Sequence, residues 1–143
     1  MEEAKEKLAC QVDTARQLLH SKWQCPASSA VYQEEMLRLY SIIQAQQVSF
    51  WLYDASLLNT RELTDHKWVS EYLAFLLSQC SLRQVAIVYA HKAQVQHNSP
   101  IRDRVYRIFG RKVPIELFVT EQEALTWLFP SLNAVQLPEV QAF

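Results

Sequence analysis

VSFWLYD, residues 48–54, is the stretch that decides the fold. Val48, Phe50, Trp51, Leu52 and Tyr53 occupy both phases of a two-residue repeat. A strand built from them hides both faces, as inner strands of a parallel sheet do. Asp54 closes it with a polar turn residue. Downstream, VAIVY at 85–89 repeats the pattern, again short, β-branched and without polar alternation. VPIELFV at 113–119 predicts a third strand. Its Pro114 lacks a backbone donor and marks a strand start or an edge.

Helical periodicities fill the gaps. In 31–46, Tyr32, Met36, Leu39, Tyr40 and Ile43 form one apolar stripe. In 65–79, Trp68, Tyr72, Phe75 and Leu76 form another, widened by Val69, Leu73 and Leu77, with Thr64 as the expected N-cap. Ser99, Pro100 and Gly110 read as cap, first helical residue and terminator of a third helix with Ile101, Val105, Ile108 and Phe109 inward. Thr120 and Glu123 form a capping-box pair opening a last helix, which Pro130 ends. The expected domain is 1–130, and 131–143 reads as a C-terminal tail. The first 25 residues admit two readings. Ala4, Leu8, Val12, Ala15 and Leu19 suit a helix, whereas Leu8, Cys10, Val12 and then Leu19, Ser21, Trp23 alternate as in a hairpin.

Composition narrows the function classes. The 143 residues are 50% hydrophobic and 20% charged, which is a globular balance. A net charge of −1 gives no general attraction to nucleic acid or acidic membranes. The three cysteines, Cys10, Cys25 and Cys80, form no paired motif and read as free thiols. The opening MEEAKEK is charged and carries no apolar core of a secretory signal. The longest apolar runs fall far short of the ~20 residues that span a bilayer. A cytoplasmic location and no membrane span are the expectations. A single glycine, Gly110, argues against phosphate-cradling loops and against a nucleophile elbow.

Four phrases carry a family resemblance: LLHSKW, WLYDASLL followed by LTDHKWVSEYL, LRQVAIVYA, and IELFVTEQEALTWL. They resemble the SpoIIAA-like, or STAS-type, domains, and the resemblance covers 8–129. That group holds the anti-sigma-factor antagonists and many small uncharacterised bacterial proteins. The resemblance implies an α/β fold with a single mixed sheet and helices packed on it, in the order β-β-α-β-α-β-α-β-α. It implies a hairpin over 8–24. It also implies a non-catalytic bacterial interaction or regulatory module with a protein partner. The antagonists are phosphorylated on a serine in an Asp-Ser-Ser-Gly motif. This chain has Asp54, Ala55 and Ser56 there and lacks that motif, so the phosphoswitch does not carry over.

Candidate site residues follow from chemistry at predicted strand and helix ends. Asp54 ends a central strand, and Ser56 and Thr60 follow it; turn and cap bonding accounts for such residues more often than catalysis. Ser99 at a helix start, with Arg102 and Arg104 beside it, offers an anion site. That segment carries Arg102, Arg104, Arg107, Arg111 and Lys112 against one acid, Asp103. A solvated helix face explains the same charges. His91 and His97 flank the loop after VAIVY and read as solvated. No histidine pair has metal-ligand spacing, so neither metal nor cofactor is expected. The chain is expected to be no enzyme, to bind no nucleic acid and to have an edge strand suited to homodimer pairing. The alternative function is binding of a small apolar or lipid-like ligand, suggested by Trp51, Tyr53, Trp68, Tyr72, Phe75 and Trp127.

Overall fold

The computed structural model describes residues 7–109 and 113–130. The tail at 131–143 and Gly110, Arg111 and Lys112 lie outside them. The order is β1 (Leu8–Asp13), β2 (Leu18–Trp23), α1 (Ser29–Gln46), β3 (Phe50–Asp54), a helical rod over 63–77, β4 (Gln84–Val88), α4 (Lys92–Phe109), β5 (Ile115–Phe118) and α5 (Glu121–Leu128). The rod has three parts: α2 (Leu63–Trp68), a π-helical turn (Val69–Leu73) and α3 (Ala74–Leu77). The first segment is the hairpin, with Leu8 opposite Trp23 and Asp13 opposite Leu18. The local helical signal loses because alternation buries Leu8, Leu19, Ser21 and Trp23 on one face.

The sheet order is β1-β2-β3-β4-β5, with β1 antiparallel and the other pairings parallel. Each parallel step moves one strand in the same direction. Right-handed crossovers therefore place α1, the 63–77 rod and α4 on one face. Trp51, Tyr53 and Val85 point to that face, among Leu19, Trp23, Met36, Ile43 and Leu73. Leu18, Leu52, Ala86 and Val88 point the other way and are covered by Ala124, Leu125 and Leu128 of α5. VSFWLY and VAIVY hide both faces, as their lack of alternation predicts.

Polar atoms on the helix-covered face are matched between strands. Trp51 Nε1 donates to Ser21 Oγ at 2.9 Å, and Trp23 Nε1 donates to the Tyr53 hydroxyl at 2.8 Å. Tyr32 of α1 stacks on Trp23 at 6.1 Å between ring centroids. Burial pushes the Tyr32, Tyr53 and Tyr89 hydroxyls well above the usual phenol range, so they act as neutral hydrogen-bonding groups.

Two helix readings need correction. The third predicted helix does not start at Ser99: α4 begins at Lys92 and carries Pro100 inside it. Its real start is tied by Gln94, whose Oε1 accepts from the Ala90 and His91 backbone N–H groups at 3.0 and 3.1 Å. Pro100 cannot donate to the Gln96 carbonyl, and the Ser99 hydroxyl donates there instead at 3.0 Å. Ser99 thus replaces a missing bond within the helix and caps nothing. In the 63–77 rod, Thr64 is not the cap; Glu62 holds that position without a side-chain bond. The apolar stripe is also rotated. Leu73, Ala74 and Leu77 face the core, while Tyr72 and Phe75 are 48% and 55% exposed. The π-helical turn adds a residue to the repeat and turns Tyr72 and Phe75 outward, while Trp68 stays packed edge-on against Tyr32.

α1 starts at Ser29, two residues before the expected 31–46 stretch, and α5 starts where the Thr120–Glu123 pair predicts. Ser28 caps α1, its Oγ accepting from Val31 N–H at 3.3 Å. Thr120 caps α5, accepting from Glu123 N–H at 3.1 Å. The described residues contain no glycine, so left-handed turn positions fall to Gln17 and Gln47, with φ of 55° and 52°. Gln47 ends α1, and Val48 N–H returns to the Ile43 carbonyl at 3.1 Å. Gln47→Gly relieves a side chain held in this region and is expected to raise stability by up to about 1 kcal/mol. Urea unfolding measures this; a lower midpoint would contradict the reading.

Candidate functional site

Three helices on one sheet face do not fill it. A cavity of about 480 Å³ lies between the sheet, the 63–77 rod and α4. Its floor is Trp51, Tyr53, Val85, Ile87, Ile115 and Leu117, and its walls are Val69, Leu73 and Leu77 opposite Ile101 and Val105. One end is polar: Asn59, Thr60, Arg61 and His66 on one side, Gln94, His97 and Asn98 on the other. Asn59, Thr60 and His97 are exposed, so this end is the mouth. The volume falls in the range of ~300–1,000 Å³ usual for small-molecule sites. A sealed, empty void of 480 Å³ would cost on the order of 10 kcal/mol, comparable with the whole stability of a domain. The open mouth avoids that cost, since solvent or a ligand can occupy the gap.

The mouth is held by a buried ion pair. Asp65 is 1% exposed and accepts from Arg61 Nη1 at 3.1 Å, Ser29 Oγ at 3.0 Å and Gln33 Nε2 at 3.2 Å. One carboxylate thus ties α2 to the first turns of α1. Arg61 Nη2 also donates to the Ala27 carbonyl and to Asn59 Oδ1, and its guanidinium lies over the Tyr32 ring at 4.7 Å. Ala27 N–H donates to the same Asn59 oxygen at 2.9 Å. The loop at 55–62 is fastened by these bonds together with the burial of Ala55 and Leu58 in the core.

His66 and His97 face each other across the mouth, with ring centroids 6.5 Å apart and planes at 53°. Burial, reinforced by His97, lowers the His66 pKa. His97 sits on α4, not in a loop, because that helix starts seven residues before Ser99. His91 remains exposed in the turn before it. The pair was invisible in the sequence because 31 positions separate its members; only helix-to-helix packing brings them together.

The predicted site residues do not converge. Asp54 is buried on the opposite sheet face, where its Oδ1 accepts from Ser56 N–H at 2.9 Å in an Asx turn. Ser56 is half-buried in that turn. Thr60 lines the cavity mouth. Arg102 lines the cavity but is paired with Asp103 at 2.8 Å and Glu116 at 3.2 Å, and Arg104 is exposed. Since Ser99 is inside α4, no helix N-terminus reinforces an anion site there. Of the suggested aromatics, Trp51 and Tyr53 line the cavity; Trp127 packs against Phe118 on the other face. Among the described residues no group of three or more His, Cys, Asp or Glu side chains is arranged to hold a metal ion. Nor is any helix long and apolar enough to cross a membrane.

No protein-family model matches the chain, and no curated protein matches it. A solved structure does: that of an uncharacterized DUF3478-family protein with a SpoIIAA-like fold from Shewanella loihica PV-4. It aligns with a TM-score of 0.56, covering 90% of this chain and 98% of its own, at 20% identity. The fold is SpoIIAA-like. At that identity the likeness fixes the path of the chain and the order β-β-α-β-α-β-α-β-α, as the sequence phrases imply.

Two predictions concern the anchors on either face. Asp65→Ala leaves the Arg61 charge buried without its partner and is expected to cost about 3–5 kcal/mol by chemical denaturation. On the α5 face, Asp54 and Glu121 share a hydrogen bond, and His20 Nε2 lies 3.2 Å from Glu121 Oε2. The His20 contact holds the Glu121 carboxyl down to about 2, whereas burial pushes Asp54 up. Glu121 therefore stabilises the fold above its ordinary value of 4.5, and that contribution disappears as pH falls toward 2. Asp54 has the opposite sign: keeping it ionised opposes folding once pH rises past its folded value. Glu121→Gln should thus weaken the fold at pH ~7 and lose its effect near pH ~2, while Asp54→Asn should be neutral or stabilising at pH ~7. Stability measured from pH ~2 to ~8 separates the two; parallel losses at neutral pH would refute the assignment.

Proposed function

We propose that this SpoIIAA-like chain is a non-catalytic binding protein for a small, mainly apolar molecule held in the cavity between the sheet, the 63–77 rod and α4. The single observation carrying this reading is the 480 Å³ apolar chamber with one polar mouth. Ligand sites of this kind combine an apolar body with a few polar groups that fix orientation. The cavity wall supports the non-catalytic part. Among its lining residues there is no serine, cysteine, lysine, aspartate or glutamate, so a nucleophile with an adjacent carboxylate is not assembled there. Between a protein partner and a small molecule as the primary ligand, a deep cavity with an apolar lining favours the small molecule.

The test uses a neutral probe, N-phenylnaphthylamine, whose emission rises in apolar surroundings. The chain is expected to bind it saturably, with dodecanol displacing it. Val105→Trp places an indole in the chamber and is expected to abolish binding without lowering the unfolding midpoint. Absence of saturable binding to the original chain, or binding that survives Val105→Trp in a folded protein, overturns the proposal.

A further inference from the structure

We infer that the cavity's ligand is an amphiphile with an anionic head, an acyl carboxylate, seated at the mouth between His66 and His97 with its tail on the Trp51–Val85–Ile115 floor. This rests on the reading of the cavity as a ligand chamber and adds the chemistry of the ligand's polar end.

Three observations carry it. The first is the sign of the wall. The charged or titratable side chains lining the cavity are Arg61, His66, His97 and Arg102, together with the neutral hydroxyls of Tyr32, Tyr53 and Tyr89. No carboxylate lines it among the described residues. The acids nearby sit behind the wall: Asp65 behind Arg61, and Asp103 and Glu116 on the far side of Arg102. They neutralise the arginines from outside and leave the imidazole of His66, facing His97, as the group whose charge can follow the ligand. A cationic head would find no counter-charge on that wall.

The second is the spacing of the rings. At 6.5 Å between centroids the imidazoles do not bond each other directly. The gap is one that a single oxygen, at hydrogen-bonding distance from a nitrogen of each ring, would span. The third is an unmet donor. Arg61 has only 10% of its side chain exposed, and its Nε is buried without a hydrogen-bond acceptor, although both terminal nitrogens are engaged. Buried donors of this kind are ordinarily satisfied. Arg61 itself lines the cavity at that end, beside His66.

His66 and the anion fit together through proton linkage. His66 is biased toward its neutral form by burial and by His97 and Arg61, against the opposing pull of Asp65. A carboxylate between the rings favours the imidazolium, so its binding takes up a proton and tightens as pH falls from ~8 toward ~6. An alcohol of equal chain length provides no such driving force.

The experiment is calorimetric titration of the full chain with dodecanoate, dodecanol and dodecylammonium at pH ~6 and ~8, repeated on the His66→Gln/His97→Gln variant. Dodecanoate is expected to bind at least about tenfold more tightly than dodecanol at the lower pH, with net proton uptake, the increment of a charge-assisted hydrogen bond. The double variant is expected to erase that preference while retaining dodecanol binding, which also shows that it folds. Equal affinities for acid and alcohol, tighter binding of the ammonium, or a preference that survives in the double variant would overturn the carboxylate assignment and leave the apolar chamber standing. Failure of all three to bind overturns the chamber reading and this inference with it.

Discussion

The handedness of the parallel crossovers governs everything else in this molecule. Strands β2 to β5 run parallel and advance one position at a time. A right-handed connection at each step must put its helix on the same side. Three helical segments therefore share one face of a five-stranded sheet, and the other face receives α5 alone, which needs no crossover because no strand follows it among the described residues. The crowded face is the one with the cavity. Its middle helix is interrupted by a π-helical turn, and Val69 and Leu73 at the ends of that turn both line the chamber. Such turns recur at functional sites because they widen a helix locally and change which residues face inward.

Polar groups keep this face specific. Its aromatic side chains are large enough to fill space in several ways, yet Trp23, Trp51 and Tyr53 each have a named hydrogen-bond partner on the neighbouring strand. A shifted register would leave those atoms buried and unpaired. Asp65 plays the same part for the helices. Its three donors come from α1 and from the loop before α2, so the ends of two elements are placed by one carboxylate. Pairs of this sort add little net stability over apolar packing, but breaking one is expensive, and that asymmetry fixes geometry.

Most of the architecture was legible in the sequence. The double-sided strands, the stripe of α1 and the Thr120 cap are local signals, and the structure keeps them. The hairpin was not decided by local pattern, because residues 8–23 satisfy both periods; pairing with β3 resolves it. The start of α4 was hidden because its tie is Gln94 rather than a serine or threonine, while Ser99–Pro100 mimics a cap. The outward turn of Tyr72 and Phe75 was hidden because a π turn leaves no signature in the order of residues. The candidate site fared least well for the same reason. Asp54, Ser56, Arg102 and Ser99 belong to separate neighbourhoods, and the facing histidines are joined only through the packing of two helices.

The absence of glycine from the described residues reaches beyond the two glutamines that stand in for it. Every turn in this part of the chain carries a Cβ, so the unfolded backbone samples fewer conformations and has less freedom to surrender on folding. The same stiffness applies to the segment over the chamber mouth, which has no permissive pivot and is tied down by Asn59 and Arg61. A flap that swings on a flexible loop is thus a poor description of how anything would pass in or out. Passage would instead draw on displacement of the 63–77 rod or of α4, so that residence time in the chamber is set by the breathing of the fold itself.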